Sequence, residues 1–159
     1  MTLRHKYMLS LARLAGCAAL FTLIPQYSLA APSCTFTTVT AVGFGAYDVF
    51  SGTPNNNGVG SLRIRCQGGG SETFIVRLSD GQSHSYFPRV MRSGANTLTY
   101  NLYTSAARNV VWGDGTGGSS TMAVNRNSTT TLSVYGQIPA GQDVAVGIYS
   151  DNITATVDF

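Results

Sequence analysis

The last eight residues of the sequence, Asn152–Phe159, alternate between polar and apolar side chains. A period of two is typical of a β-strand with one buried face, here the face that carries Ile153, Ala155, Val157 and Phe159. No further strand follows Phe159, so we expect one edge of this strand to need a partner. Burying each large apolar side chain is worth about 1.5–3 kcal/mol, so whatever covers the edge should largely decide the domain's stability.

The first thirty residues have the features of a secretory signal peptide. A basic segment precedes an apolar stretch too short to span a membrane, and small residues occupy the positions before Ala31. Cleavage is therefore predicted between Ala30 and Ala31, which leaves 31–159 as the mature domain. A lipoprotein signal at Cys17 is the alternative, which Arg13 disfavours because it interrupts the apolar run before that cysteine.

The net charge of the sequence, +3, comes from the predicted leader. The whole sequence has 10 basic and 7 acidic residues, and Arg4, Lys6 and Arg13 would leave with the leader. The mature chain would then be neutral and free of lysine, which gives no electrostatic basis for binding nucleic acid or an anionic membrane. Its length suits a single domain.

Two cysteines, Cys34 and Cys66, remain after the leader. In an exported protein a disulfide between them is the default expectation, since the compartment is oxidising. It would contribute roughly 3–4 kcal/mol by restricting the unfolded chain. Two free buried thiols are the alternative.

The rest of the sequence predicts an all-β domain. Short alternating segments are separated by glycine, proline and asparagine, no helical period is present, and only 11% of residues are charged. We expect about seven or eight strands. The predicted segments are 34–42, 62–66, 74–78, 89–91, 98–102, 122–124, 132–138 and a long final strand or strand pair over 144–159. The segment 110–112 is short and apolar.

A glycine-rich stretch, 113–118, matches the G-x-G-x-x-G string of dinucleotide-binding folds. That motif requires a helix after the loop, and no helical pattern follows, so a loop is the favoured interpretation. Asp114 is a single carboxylate where calcium prefers six or more oxygens. A charge introduced at Ser119, just beyond this stretch, is expected to be tolerated.

Catalytic chemistry finds little support in the sequence. His84 has Ser83, Ser85 and Asp80 nearby, but neighbours in sequence do not make a catalytic triad. No pair of carboxylates is singled out for glycoside hydrolysis. Trp112 is assigned to core packing in preference to a sugar platform. We therefore predict no enzymatic activity, no catalytic residues, no cofactor and no metal.

Several motifs, in order along 34–159, resemble the spore coat protein U domain family. They are Cys34 with Phe44-Gly45-x-Tyr47, the strand ending in Cys66, Tyr100-Asn101-Leu102-Tyr103-Thr104, Trp112-Gly113-Asp114-Gly115-Thr116-Gly117, Tyr135-Gly136-Gln137-Ile138-Pro139-Ala140-Gly141-Gln142, and Tyr149-Ser150-Asp151 before the last strand.

This resemblance implies a pilin-like fold, an immunoglobulin-like β-sandwich that lacks its final strand. It implies a secreted structural subunit of a surface fibre or coat, exported through the periplasm by the archaic (Csu-type) chaperone–usher route. The implied partners are a periplasmic chaperone, an outer-membrane usher and a subunit that donates the missing strand. The contacts would be made along Ile153, Ala155, Val157 and Phe159.

The start of the mature chain departs from the family's polymerising members, which carry a donor segment before the first cysteine. Only Ala31, Pro32 and Ser33 would precede Cys34 in the mature chain, and three residues reach about 10 Å. We therefore expect a chain that accepts a strand without donating one, as at the end of a fibre or in a coat. The alternative is a tip-like adhesin whose loops bind a surface or a glycan.

Overall fold

The computed structural model describes residues 31–68 and 73–158, which form eight β-strands and one turn of 3-10 helix at Gly81–Ser83. The leader residues, including Ala30, and Phe159 lie outside the described residues. The strands are β1 Ser33–Gly43, β2 Val59–Gln67, β3 Thr73–Leu78, β4 Arg89–Ser93, β5 Asn96–Tyr103, β6 Met122–Asn125, β7 Thr129–Gln137 and β8 Ala155–Asp158.

The strands make two sheets. One has five strands in the order β1-β2-β7-β5-β4, and the other has three in the order β6-β3-β8. Every strand pair is antiparallel. The inward side chains of both sheets form one hydrophobic core. This arrangement is an immunoglobulin-like sandwich, and it confirms the predicted all-β fold class.

Alternation along the strands builds this core. In β2 the side chains of Leu62, Ile64 and Cys66 are buried, while their neighbours in the strand are more exposed. Trp112 is fully buried, and its indole Nε1 donates a hydrogen bond to the carbonyl oxygen of Val76 at 3.1 Å. The interpretation of Trp112 as a core residue is therefore confirmed.

Cys34 and Cys66 form the predicted disulfide. They lie directly opposite each other in the β1–β2 register, with Cα atoms 4.1 Å apart. The bond attaches the start of β1, an edge strand, to the inside of the large sheet.

The final segment differs from the long strand predicted over 144–159. Only Ala155–Asp158 forms a strand, because β3 offers a partner to these residues alone. The earlier part is a loop, held to β4 by a bridge between Ser150 and Arg92, and it leaves Val146 and Ile148 fully exposed. Alternation predicted a strand there, but among the described residues the pairing with β4 is limited to this one bridge.

The segment 110–112 is also not a strand. Val111 and Trp112 are buried but make only isolated bridges, to Tyr103 and Ser120.

The structure does not support the expectation for Ser119, because this residue is not an exposed loop position. This side chain is 7% exposed, and its hydroxyl donates to the carbonyl oxygen of Thr116 at 2.7 Å. A carboxylate here would enter a closed turn without compensation, so Ser119→Asp should destabilise the fold.

Candidate functional site: an unpaired strand edge and an outer cleft

Strand β8 is paired on one side only within residues 31–68 and 73–158. Its four residues pair with β3 in the register Ile75↔Asp158 to Leu78↔Ala155. Just before the strand, the backbone of Thr154 continues the contact, with its carbonyl oxygen accepting from the Ser79 amide at 2.9 Å. The opposite edge of β8 ends the small sheet, so its backbone groups are available to another strand.

The inward side chains beside this edge are only half covered. Ile153, Ala155 and Val157 pack against the core from its margin, whereas Val76, the register partner of Val157, is fully buried. The difference arises because β3 has a strand on each side and β8 has one. A further strand along β8 would bury more of this apolar surface.

The large sheet has a similar margin at β1, which pairs only with β2 among the described residues. Phe36 and Val42 of β1 are half-buried against the same core, and Val39 is 63% exposed. Two incompletely covered strands, β1 and β8, therefore border one hydrophobic core. Of the residues predicted to accept a strand, Ile153, Ala155 and Val157 line one margin together; Phe159 is outside the described residues.

The outward face of β3 and β8 forms the floor of an open cleft of about 690 Å³. On this face Arg77 of β3 makes an ion pair with Asp158 of β8. The β3–β4 loop makes one wall, with Tyr86 and Phe87, and the glycine-rich loop makes another, with Asp114.

His84 lies at the cleft but is not part of a triad. It is exposed, in the left-handed backbone region at φ 53°, while the hydroxyl of Ser83 donates to the carbonyl oxygens of Asp80 and Ser85. Among the described residues no three metal-binding side chains cluster together. In that same part of the chain, no helix has the length and hydropathy to cross a membrane.

Sequence reasoning missed the buried Arg89. Its guanidinium is 0% exposed and donates to the carbonyl oxygens of Ser79 and Trp112, and to Oδ1 of Asn101 at 2.9 Å. Burial lowers the pKa of this arginine from its usual value. The network ties the β3–β4 loop to the strand ends behind the cleft. Alternation in β4 places Arg89 on the same face as the buried Met91 and Arg92 on the opposite face, but no local pattern shows that carbonyl groups surround Arg89.

The chain matches the family model described as Spore Coat Protein U domain over residues 20–156. The chain therefore belongs to the Spore Coat Protein U domain family, as the sequence motifs indicated. This is a family of structural pilus or coat subunits exported to the cell surface, not an enzyme family.

A curated relative is Protein U of Myxococcus xanthus, which is 34% identical over 110 residues; the match covers 64% of this chain and 60% of Protein U. A solved structure with a similar fold is the CsuC–CsuE chaperone–tip adhesion subunit pre-assembly complex of archaic chaperone–usher Csu pili from Acinetobacter baumannii. That likeness has a TM-score of 0.54 and 23% identity, and covers 81% of this chain and 40% of the other. The chain thus spans less than two thirds of either protein's length.

Proposed function

We propose that this protein is a non-enzymatic structural subunit of a chaperone–usher surface fibre or coat, and that it accepts a donor strand along β8. The observation that carries the proposal is the unpaired edge of β8, with Ile153, Ala155 and Val157 half-buried beside it. An added strand would bond to the backbone of β8 and place alternate side chains over the core margin.

The same edge is where we propose that a periplasmic chaperone binds before assembly through an outer-membrane usher. An unpaired strand beside exposed apolar surface is a site of aggregation, so a subunit of this kind needs cover during export. The similar fold of a chaperone-bound tip subunit supports this order of events. We also propose that the leader is removed before Ala31. The three residues then left before Cys34 are too few to form a donor strand, so we propose that the subunit lies at a fibre end or in a coat.

The test is a self-complemented variant. A short turn and a strand of alternating valine and threonine are added after Phe159, so that the new strand folds back along β8. Covering two or three half-buried side chains should add a few kcal/mol and raise the Tm by roughly 10 °C. The control is the same extension shifted by one residue, which turns the valines outward. Equal Tm values for the two extensions would contradict strand acceptance.

A second candidate role, a tip-like adhesin, is favoured by the apolar loops at one end of the sandwich. Phe50, Val146 and Ile148 are each at least 90% exposed. Their loops are hydrogen bonded, since the Tyr47 hydroxyl donates to the carbonyl oxygen of Pro139. Exported protein should then adhere to a surface or a glycan, and adhesion assays on cells and on abiotic surfaces test this role. Protein that adheres to neither would exclude it.

A further inference from the structure

The outer cleft has the dimensions of a small-molecule site. Its volume, about 690 Å³, lies within the roughly 300–1,000 Å³ typical of ligand clefts. It lies on the outward face of β3 and β8, whereas the strand-accepting margin faces the core, so the two sites use opposite faces of β8.

The aromatic wall of the cleft is held in place from behind. The Tyr86 hydroxyl donates to the carbonyl oxygen of Leu78 at 3.1 Å, and the Tyr86 carbonyl accepts from Nδ2 of Asn101 at 2.7 Å. The guanidinium of Arg89 lies 5.0 Å from the centre of the Tyr86 ring. This wall is therefore formed before any ligand binds, which lowers the entropic cost of binding.

Phe87 is an exposed aromatic side chain at the cleft. It is 53% exposed at the cleft, although its backbone amide is fixed by Oγ of Ser85 at 3.0 Å. An exposed ring on a fixed loop offers a flat apolar surface to a ligand.

Asp114, in the glycine-rich loop beside Tyr86, supplies a fixed hydrogen-bond acceptor at the cleft. Its Oδ1 accepts from the Thr116 amide at 2.8 Å and from the Thr116 hydroxyl at 2.6 Å. These bonds from Thr116 lower the pKa of Asp114, so it is ionised at neutral pH. Asp80 and Asp158 also line the cleft, where Arg77 is the one arginine, so acidic groups are in excess.

We infer that this cleft binds the uncharged pyranose ring of a glycan. A pyranose has an apolar face, which suits the ring of Phe87, and hydroxyls that donate to a carboxylate, which suits Asp114. Hydroxyls of Thr154 and Thr156 on the floor add further partners. The excess of acidic groups disfavours acidic sugars such as sialic acid. This inference goes beyond the adhesive role proposed above, because Phe50, Val146 and Ile148 do not line the cleft, and it does not depend on strand acceptance.

The test is saturation-transfer NMR on the exported full chain with four probes: methyl glucoside, methyl galactoside, N-acetylglucosamine and N-acetylneuraminic acid. At least one neutral sugar should bind and the acidic sugar should not. Phe87→Ala and Asp114→Asn should each weaken binding about tenfold or more. Asn at 114 keeps an oxygen for Thr116 but replaces the other carboxylate oxygen with a donor.

Matched controls are Val59→Ala and Asp143→Asn, which change an exposed apolar side chain and an exposed carboxylate outside the cleft and should leave binding intact. The inference is overturned if no neutral sugar binds, if the acidic sugar binds best, or if the two cleft variants bind as well as the controls. Adhesion to surfaces or cells without sugar binding would overturn this inference and leave the adhesive role standing.

Discussion

Val76 and Val157 lie opposite each other in the small sheet, yet one is fully buried and the other only half-buried. The two side chains are identical and both face the core, so residue type does not explain the difference. Their positions in the sheet explain the difference, because β3 is the central strand and β8 is an edge strand. Within the described residues, the core is thus closed over β3 and only half covered along β8.

The polar groups show the same contrast. Around β3 and β4, the buried guanidinium of Arg89 donates hydrogen bonds to two backbone carbonyl oxygens. The indole of Trp112 donates to a third. Along the outer edge of β8 the backbone groups have no partner strand within the described residues. Buried polar groups must find partners inside the chain, whereas an edge can obtain them from a second chain.

The largest expected effect comes from Arg89. Arg89→Met leaves the carbonyl oxygens of Ser79 and Trp112 without their donor in a buried site, and should lower the free energy of unfolding by about 3–5 kcal/mol. Arg92→Met, on the same strand but exposed, should change it by about 0.5 kcal/mol or less. Urea unfolding of both variants measures the difference; similar losses would show that the interior does not depend on this network.

Most of the framework could be predicted from the sequence. Alternation marked β2, β3 and β7, and two cysteines in a chain predicted to be exported indicated the disulfide, because these features depend on local period and on compartment. The overpredicted strand over 144–154 shows the limit of that reasoning. Alternation at Val144, Val146 and Ile148 suits a strand, but pairing depends on which neighbour the tertiary fold supplies.

The candidate sites were predicted unevenly for the same reason. The period of the last strand was enough to predict that Ile153, Ala155 and Val157 face the core, where the structure places them. The cleft was not, because Phe87, Asp114 and Arg77 come from three separate segments. Arg89 was missed because burial of an arginine is decided by the carbonyl groups that surround it, and these have no local sequence pattern.

The disulfide should have the next largest effect, since it holds the edge strand β1. The double variant Cys34→Ser/Cys66→Ser should lose roughly 3 kcal/mol, and the loss should be matched by adding reductant to the wild-type protein. Thermal unfolding with and without reductant measures this effect. Two free thiols in native protein would contradict the bond.

A matched pair of valines then tests the contrast directly. Val76→Ala should cost about 2–3 kcal/mol, because it leaves a cavity in a closed site, and Val157→Ala about 1 kcal/mol at a half-covered site. In the self-complemented variant the cost of Val157→Ala should rise towards that of Val76→Ala. Unfolding of the wild type, its two alanine variants, the self-complemented variant and the self-complemented variant with Val157→Ala gives the comparison. An unchanged cost for Val157→Ala would mean that the added strand does not cover it.

The smallest effect concerns how stability depends on pH through Tyr100, a buried residue of β5. Its hydroxyl donates to Oδ2 of Asp151 at 2.7 Å. Burial, followed by this bond to Asp151, raises the pKa of Tyr100 well above its ordinary value of 10.0. A raised pKa means that the fold favours the neutral phenol. The resulting stability is therefore fully present below about pH 10 and is lost as the pH rises further.

Tyr100→Phe should lose about 1 kcal/mol near neutral pH, the value of one hydrogen bond. Between about pH 9 and pH 11, the free energy of unfolding should fall less in this variant than in the wild type. The variant has no phenol at position 100 that must stay protonated. Tyr86 and Tyr103 also have raised pKa values, caused first by burial, so the alkaline loss should shrink without vanishing. Urea unfolding at a series of pH values measures both changes, with Tyr103→Phe as the comparison. An alkaline loss as steep in Tyr100→Phe as in the wild type would show that ionisation of Tyr100 does not limit stability at high pH.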